Sequence, residues 1–172
     1  MTNAVSRLAA AALACAALGG ALLAHADEHP GPPQGTAALG ALAGTWQSDT
    51  VNGVSARSQC DWTAAHGALA CEQTVTTPQG RRHALDLFAF DSASGKYVFY
   101  LLLAPGDTMR PTPLGISGPI WTYGGTAPGK DGKWYRTIND FTATSAYTWR
   151  QESSADGVHW TVGQGGRSTR VH

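Results

Sequence analysis

Apolar and polar residues alternate in short runs along most of the chain from Gly44 onward. A period of two is the pattern of strands that bury one face. Glycine-containing turns such as Asn52-Gly53 and Asp131-Gly132 separate most runs, and no long helical pattern interrupts them. The predicted strands are approximately 44–50, 54–63, 68–77, 82–91, 96–104, 108–112, 119–124, 134–142, 145–153, 158–163 and 166–171. Short links between them predict an all-β, up-and-down antiparallel barrel of about ten strands, closed or nearly closed because closure removes exposed edges.

Three segments depart from simple alternation. A short N-terminal helix is predicted near Thr36–Leu42, and the proline-rich stretch 105–119 predicts a long loop or a broken edge strand near a barrel mouth. The run 96–104 is apolar on both faces, so its outer face needs a cover. The short helix, the proline loop and a second subunit are the three candidates, and the last of these predicts a homodimer.

The first 26 residues have the pattern of a signal peptide. Arg7 precedes an apolar, alanine-rich run at 8–23, and a small-x-small pattern ends at position 26, so the mature chain is expected to start at Asp27. The run is short for a membrane span. A lipoprotein signal at Cys15 is the alternative, although alanine stands where such signals usually carry leucine. We therefore expect a periplasmic or secreted protein, free of the membrane after cleavage, with a flexible leader at 27–35 and one domain at 36–172.

The charge of the chain is balanced, with 12 lysines and arginines against 12 aspartates and glutamates. A nucleic-acid or anionic-membrane surface needs a basic excess, so neither partner is expected. Charged residues make up only 14% of the chain, below the usual proportion. The composition therefore agrees with a turn-rich β protein.

Export leaves two cysteines, Cys60 and Cys71, because Cys15 is removed with the signal peptide. They flank a turn-like segment at 64–67, and alternation places both on the apolar side of a hairpin. A pair of reduced thiols and a redox-active pair are the alternatives. The sequence has no Cys-x-x-Cys spacing to support redox chemistry. A structural disulfide is therefore the favoured interpretation.

The opening of the domain, Leu39, Leu42 and then Gly44-Thr45-Trp46, resembles the Gly-x-Trp start of the lipocalin-like calycin superfamily. The chain also resembles a family of secreted bacterial lipocalin-like domains. The further matching segments are 60–62 with Cys71, 90–91, 95–97, 121–123, 149–153 and 156–160. The resemblance implies that Trp46 plugs the closed end of the barrel, with Arg170, or Arg167 in its place, over the ring. It also implies a small hydrophobic ligand, but no activity.

Strand alternation predicts which side chains line the interior. In the run 145–153, the aromatic face is expected to point inward, which leaves Arg150 and Glu152 as solvated partners. Arg136, if it points inward, would suit an anionic head group such as a carboxylate. The predicted ligand-binding residues are Trp62, Phe88, Tyr123, Arg136, Tyr147 and Trp149.

Two further sites are hypotheses about chemistry. Asp86 shares a strand face with aromatic residues and is the candidate catalytic acid or base; a carboxylate paired with an arginine, or lying at the mouth, is the alternative interpretation. If the mature chain starts at Asp27, its free α-amine and His29 at the third position could hold Cu(II) or Ni(II). A shift of the cleavage site by one residue would destroy this metal site. No catalytic motif and no cofactor-binding motif are present in the sequence.

The sequence thus leaves three hypotheses about function. The first is an exported barrel that binds a partly apolar small molecule, with an anionic head group if Arg136 faces inward. The second is a barrel enzyme of the cyclase or isomerase type that uses an inward carboxylate. The third is a filled barrel that acts in protein association. An open cavity separates the first two from the third, and a desolvated inward carboxylate is the requirement of the second.

Overall fold

A computed structural model describes residues 35–102 and 111–171. A short 3₁₀ helix, Ala37–Leu42, is followed by ten strands. The strands are β1 Gly44–Ser48, β2 Ser55–Trp62, β3 Ala68–Thr77, β4 Gly80–Asp91, β5 Lys96–Leu102, β6 Thr112–Ser117, β7 Ile120–Pro128, β8 Trp134–Ala143, β9 Ala146–Ser154 and β10 Thr161–Val171. The proposed signal peptide and most of the leader, with Asp27 and His29, lie outside the described residues. Among the described residues, no helix is long and apolar enough to cross a membrane.

The ten strands form one closed antiparallel barrel. Each strand pairs with its neighbours along the chain, and β1 pairs with β10 to complete the circle. In that closing ladder, Trp46 lies opposite Arg170 and Ser48 opposite Ser168. The predicted all-β, up-and-down barrel with a short N-terminal helix is confirmed.

The division of the chain into strands differs from the prediction at two places, and β7 also continues to Pro128, past its predicted end at 124. The predicted strands 158–163 and 166–171 are replaced by the single strand β10, which begins at Thr161, because a β-bulge between Val162 and Gln164 absorbs the irregularity without ending the ladder. Strand β6 includes only the last residue of the predicted strand 108–112, whose residues 108–110 lie outside the described part of the chain. Pro113 stands near the start of β6, where a missing backbone N–H is best tolerated. Residues 103–110 lie outside the described part of the chain.

The 3₁₀ helix closes one end of the barrel, which we call the closed end. Leu39 and Leu42 are buried against Trp46, whose exposed fraction is 1%. The Nε1–H group of Trp46 donates a 2.7 Å hydrogen bond to the carbonyl of Leu42. The guanidinium of Arg170 lies 4.6 Å from the centre of the Trp46 ring and donates a 2.7 Å hydrogen bond to the carbonyl of Ala43. Helix, tryptophan and last strand are therefore joined by direct contacts.

Gly44 makes this contact possible at the start of β1. Its φ of 108° lies in a region that residues with a side chain rarely adopt. A Cβ atom at this position would also lie 2.9 Å from Nη1 of Arg170. The glycine of the Gly-x-Trp sequence therefore gives Arg170 room to reach the carbonyls of the helix.

Cys60 and Cys71 face each other across β2 and β3 and form a disulfide. Both are buried in the core, as alternation places them on the inner face of their strands. The predicted disulfide is confirmed.

The outer faces of β4 and β5 form an apolar patch. Its cross-strand pairs are Leu85 with Leu102, Leu87 with Tyr100 and Ala89 with Val98. The leucines of the 3₁₀ helix are directed into the core, while the side chain of Leu85 is 39% exposed. A second subunit as the cover of this patch stays a prediction.

Candidate ligand-binding site

The interior of the barrel contains two adjoining cavities of about 310 Å³ each. Only the first is lined by β1 and β10, and only the second is lined by β4, β5 and β7, whereas β2, β3 and β9 contribute residues to both. Both are bounded by β8. The residues that line both cavities are Ser58, Gln73, Thr137, Asn139, Tyr147 and Gln151. The alternation of β8 and β9 directs alternate side chains into this space, so the strand pattern itself builds the lining.

Aromatic rings form much of the wall of the second cavity. Phe88, Phe99 and Tyr123 contact one another, with ring centres 5.1 Å apart for the two phenylalanines and 5.3 Å apart for Phe99 and Tyr123. Tyr147 lies at the boundary with the first cavity and contacts the ring of Trp46 at a centre distance of 5.0 Å. Trp149 lines the first cavity. These rings offer an apolar surface to a bound molecule.

Asp86 lies in the wall of the second cavity, with an exposed fraction of only 5%. Its Oδ2 atom accepts a hydrogen bond from the side-chain amide of Gln73. Its Oδ1 atom has no hydrogen-bond partner among the described residues. Burial raises the pKa of Asp86 from 3.8 to about 7, although the Gln73 hydrogen bond acts in the opposite direction. The carboxyl group can therefore exchange a proton near neutral pH.

Two tyrosine hydroxyls complete the polar part of the lining. The Tyr123 hydroxyl accepts a 3.1 Å hydrogen bond from the side-chain amide of Asn139. Burial raises the pKa of Tyr123 well above 10.0, and Tyr147 and Asp86 add to the shift. Burial also raises the pKa of Tyr147, while a hydrogen bond with Ser168 opposes the increase. Both tyrosines are thus uncharged at neutral pH.

The charge distribution of the lining is one-sided. Neither cavity is lined by a lysine, arginine or histidine of the described residues. Among the described residues, Asp86 is the only one with a carboxyl group in either lining, and it takes part in no salt bridge with another of them. The structure therefore does not show the arginine partner that the sequence suggested for Asp86. It does not show a position at the barrel mouth either, because the carboxyl group is buried.

Four of the six predicted ligand-binding residues line the cavities, namely Phe88, Tyr123, Tyr147 and Trp149. Trp62 does not. It lies at the end of β2 near the closed end, where its ring stacks on that of His66 at a centre distance of 6.0 Å. It also packs against the buried core, which includes Leu39 and Leu42 of the 3₁₀ helix. Trp62 thus contacts the core and His66, and the prediction that it contacts a ligand stays a prediction.

Arg136, the other predicted ligand-binding residue that lines neither cavity, lies on the outside of the barrel, so the inward orientation that would suit an anionic head group is not what the structure shows. Its Nε donates to Glu152 at 2.6 Å, and its guanidinium lies 3.9 Å from the centre of the Trp160 ring. Its neighbour Thr137 faces the cavities, and strand alternation therefore turns Arg136 outward. Arg150 donates to the other oxygen of Glu152, also at 2.6 Å. The predicted partnership of Arg150 and Glu152 is present, but Glu152 is only 7% exposed rather than solvated.

Sequence reasoning missed several polar members of the lining. Gln73 is the most informative of them, because it is the only described side chain that donates a hydrogen bond to Asp86. It stands between Cys71 and Val75 at the spacing that places all three on one strand face. A polar residue on an otherwise apolar face was the available signal. Asn139 on β8 is a second missed residue, recognisable only once its bond to Tyr123 is seen.

The described residues contain no group of three or more histidine, cysteine, aspartate and glutamate side chains that could hold a metal ion. Asp27, as the expected first residue of the mature chain, and His29 both lie outside the described part of the chain. The N-terminal copper or nickel site that depends on them therefore stays a prediction.

Comparison with known proteins adds no identification, since the chain matches neither a protein-family model nor a curated protein. The barrel fold alone does not assign a function, because one fold serves many chemistries. The function has to be inferred from the residues that face the cavities.

Proposed function

We propose that this protein is an exported, lipocalin-like barrel that binds a small, partly apolar molecule in its interior. The observation that carries the proposal is the pair of adjoining cavities, lined by aromatic rings and, in the second, by the buried Asp86, one oxygen of which has no hydrogen-bond partner among the described residues. Ligand sites typically combine an apolar wall with few polar groups that orient the ligand. Cavities of about 310 Å³ are at the lower end of the usual range for such sites, which favours a small ligand. They also count against the filled barrel that acts only in association.

The charge of the interior favours an uncharged or cationic ligand over the anionic one considered from the sequence. Arg136 pairs with Glu152 outside the barrel and offers nothing to an anion inside it. Asp86 would repel an anion whenever its carboxyl group is ionised.

Export is part of the proposal and is supported by the disulfide. Disulfides form and persist mainly in oxidising compartments such as the periplasm and the extracellular space. The bond between Cys60 and Cys71 is therefore consistent with the signal peptide inferred for residues 1–26. N-terminal sequencing of the protein purified from its host would test the cleavage site, and a first residue other than Asp27 would also refute the N-terminal metal site.

An enzyme that uses Asp86 is the second candidate function, and the Asp86 environment specifically favours it. A carboxyl group whose pKa is about 7 can both take up and release a proton at neutral pH. The Tyr123 and Tyr147 hydroxyls line the same cavity and could orient a substrate oxygen. The two functions differ in what happens to a bound molecule. If the protein is an enzyme, the wild type converts the bound molecule and Asp86→Asn should abolish this turnover; if it is a binding protein, neither the wild type nor the variant converts it.

Titration with N-phenyl-1-naphthylamine, a probe that is uncharged near neutral pH and fluoresces in apolar surroundings, tests the binding proposal directly. We expect saturable fluorescence with the wild type and at least about tenfold weaker binding by Ser58→Phe, whose added ring would fill space that both cavities share. Gln59→Phe is the matched control, because Gln59 is the adjacent, exposed residue on the outer face of β2. Unsaturable fluorescence, or equal weakening by both variants, would contradict an interior site.

A further inference from the structure

Asp86 has a role that neither the fold nor the packing explains. The residue lines the second cavity, and its buried Oδ1 atom receives no hydrogen bond from a described residue. A buried acceptor without a donor costs free energy, and an ionised one costs more. A residue that served only the barrel would be replaced by an apolar side chain at lower cost. The position therefore points to a donor that a ligand brings.

The groups that face Asp86 do not supply a positive charge. On β3 they are Gln73 and Cys71, the latter in the disulfide, and the paired residue on β5 is Leu101. Tyr123 on β7 and Tyr147 on β9 are the other titratable groups of the cavity lining, and both are uncharged at neutral pH. Nothing among the described residues therefore neutralises the ionised carboxylate. A cation on the ligand would do so.

The surrounding rings suit the same kind of ligand. Phe88, Phe99, Tyr123 and Tyr147 line the cavity that Asp86 faces. The negative face of an aromatic ring attracts an organic cation, and this attraction strengthens where water is excluded. A protonated amine therefore gains from both the carboxylate and the rings, whereas an alcohol gains only a hydrogen bond.

Resting on the proposed binding function, we propose that the barrel binds an organic amine in its protonated form, with the ammonium group donating to the carboxyl group of Asp86 and the apolar body against the aromatic wall. Binding then requires the ionised carboxylate. Because the pKa of Asp86 in the free protein is about 7, the affinity for an amine should fall as the pH decreases below that value. The fall approaches about tenfold per pH unit in the acidic range.

Matched probes separate the charge of the ligand from its shape. We would measure binding of 2-phenylethylamine, 2-phenylethanol and phenylacetate to the full chain purified from its host, by isothermal titration calorimetry. The three share a phenyl ring and differ mainly in the charge of the polar end. The amine should bind at least about tenfold more tightly than the alcohol, and phenylacetate should bind most weakly.

Asp86→Asn should remove the preference for the amine while leaving the affinity for 2-phenylethanol within about threefold. Glu72→Gln is the control, because it removes one carboxylate from the exposed outer face of β3 and should leave the preference intact. If Asp86→Asn fails to fold, the pH dependence of amine binding to the wild type provides the same test. A ratio of amine to alcohol affinity that does not change with pH would then overturn the inference.

The outcomes distinguish this inference from the binding function on which it rests. Equal affinity for the amine and the alcohol, or a preference for phenylacetate, overturns the amine inference and leaves the binding barrel standing. Absence of binding by all three probes also overturns the amine inference. If N-phenyl-1-naphthylamine still binds, the binding barrel stands. Failure of that uncharged probe too would refute both proposals.

Discussion

Replacement of Asp86 by asparagine should make the protein more stable at alkaline pH and change how its stability depends on pH. The folded protein raises the pKa of this carboxyl group from 3.8 to about 7. Between those two values the folded state binds a proton that the unfolded state has lost, so the free energy of unfolding decreases as the pH rises. The decrease is complete above the folded-state pKa. Asparagine has a similar shape and does not ionise, so the variant lacks this decrease.

The size of the effect follows from the pKa shift. A shift of about three units corresponds to about 4 kcal/mol, at about 1.4 kcal/mol per unit. Asp86 is buried, so solvent screening does not reduce this figure greatly. We expect the stability of Asp86→Asn relative to the wild type to rise by up to about 4 kcal/mol between about pH 4 and about pH 8.

Urea denaturation followed by tryptophan fluorescence, at a series of pH values with the disulfide intact, measures this difference. Glu72→Gln serves as the control, since Glu72 is an exposed carboxylate on the outer face of the neighbouring strand. Its stability curve should follow that of the wild type closely. Parallel curves for the wild type and Asp86→Asn over the whole pH range would refute the reasoning, because they would show that Asp86 ionises with equal ease in both states.

Three further changes test the closed end and the outer wall. Replacing both Cys60 and Cys71 by alanine should reduce the free energy of unfolding by about 3 kcal/mol, as measured against the oxidised wild type in urea; an unchanged value would show that the disulfide does not limit the unfolded chain. Arg170→Met should reduce the free energy of unfolding by about 1–2 kcal/mol and alter the fluorescence of Trp46, since the guanidinium contacts that ring; an unaltered spectrum would contradict the contact. Glu152→Gln should reduce the free energy of unfolding by on the order of 1 kcal/mol at neutral pH. Burial acts to raise the pKa of Glu152, but the hydrogen bonds from two arginines outweigh burial and lower the pKa. The difference in stability between Glu152→Gln and the wild type should therefore disappear on acidification, when Glu152 is protonated. Thermal unfolding at two pH values measures this difference.

The barrel could be predicted from the sequence because each strand and each turn has a recognisable local sequence pattern. Alternation of apolar and polar residues marks each strand, and glycine-containing turns mark the links. The same alternation placed Cys60 and Cys71 on one face of a hairpin, and they form the predicted disulfide. The division of β10 into two strands was wrong, because an interrupted pattern cannot distinguish a bulge from a turn.

The candidate site was only partly predictable. Tyr147 and Trp149 stand on a strand whose two faces differ clearly in polarity, and both line the cavities as alternation predicts. On β8 both faces carry polar residues, so the direction of Arg136 could not be deduced from its own strand. It is decided by partners distant in the sequence, Glu152 on β9 and Trp160 beyond it.

Local sequence pattern was enough to specify the kind of fold and to place the two cysteines of the disulfide on one strand face. The contact between Trp46 and the last strand was expected from the lipocalin-like resemblance, and the structure shows that Arg170 makes it. The character of the interior, in contrast, depends on the assembled barrel. Asp86 shares its strand face with aromatic residues in the sequence, but its pKa depends on how completely nine other strands exclude water from it. Burial and the lack of a nearby cation among the described residues are properties of the closed barrel as a whole, and no single strand encodes them.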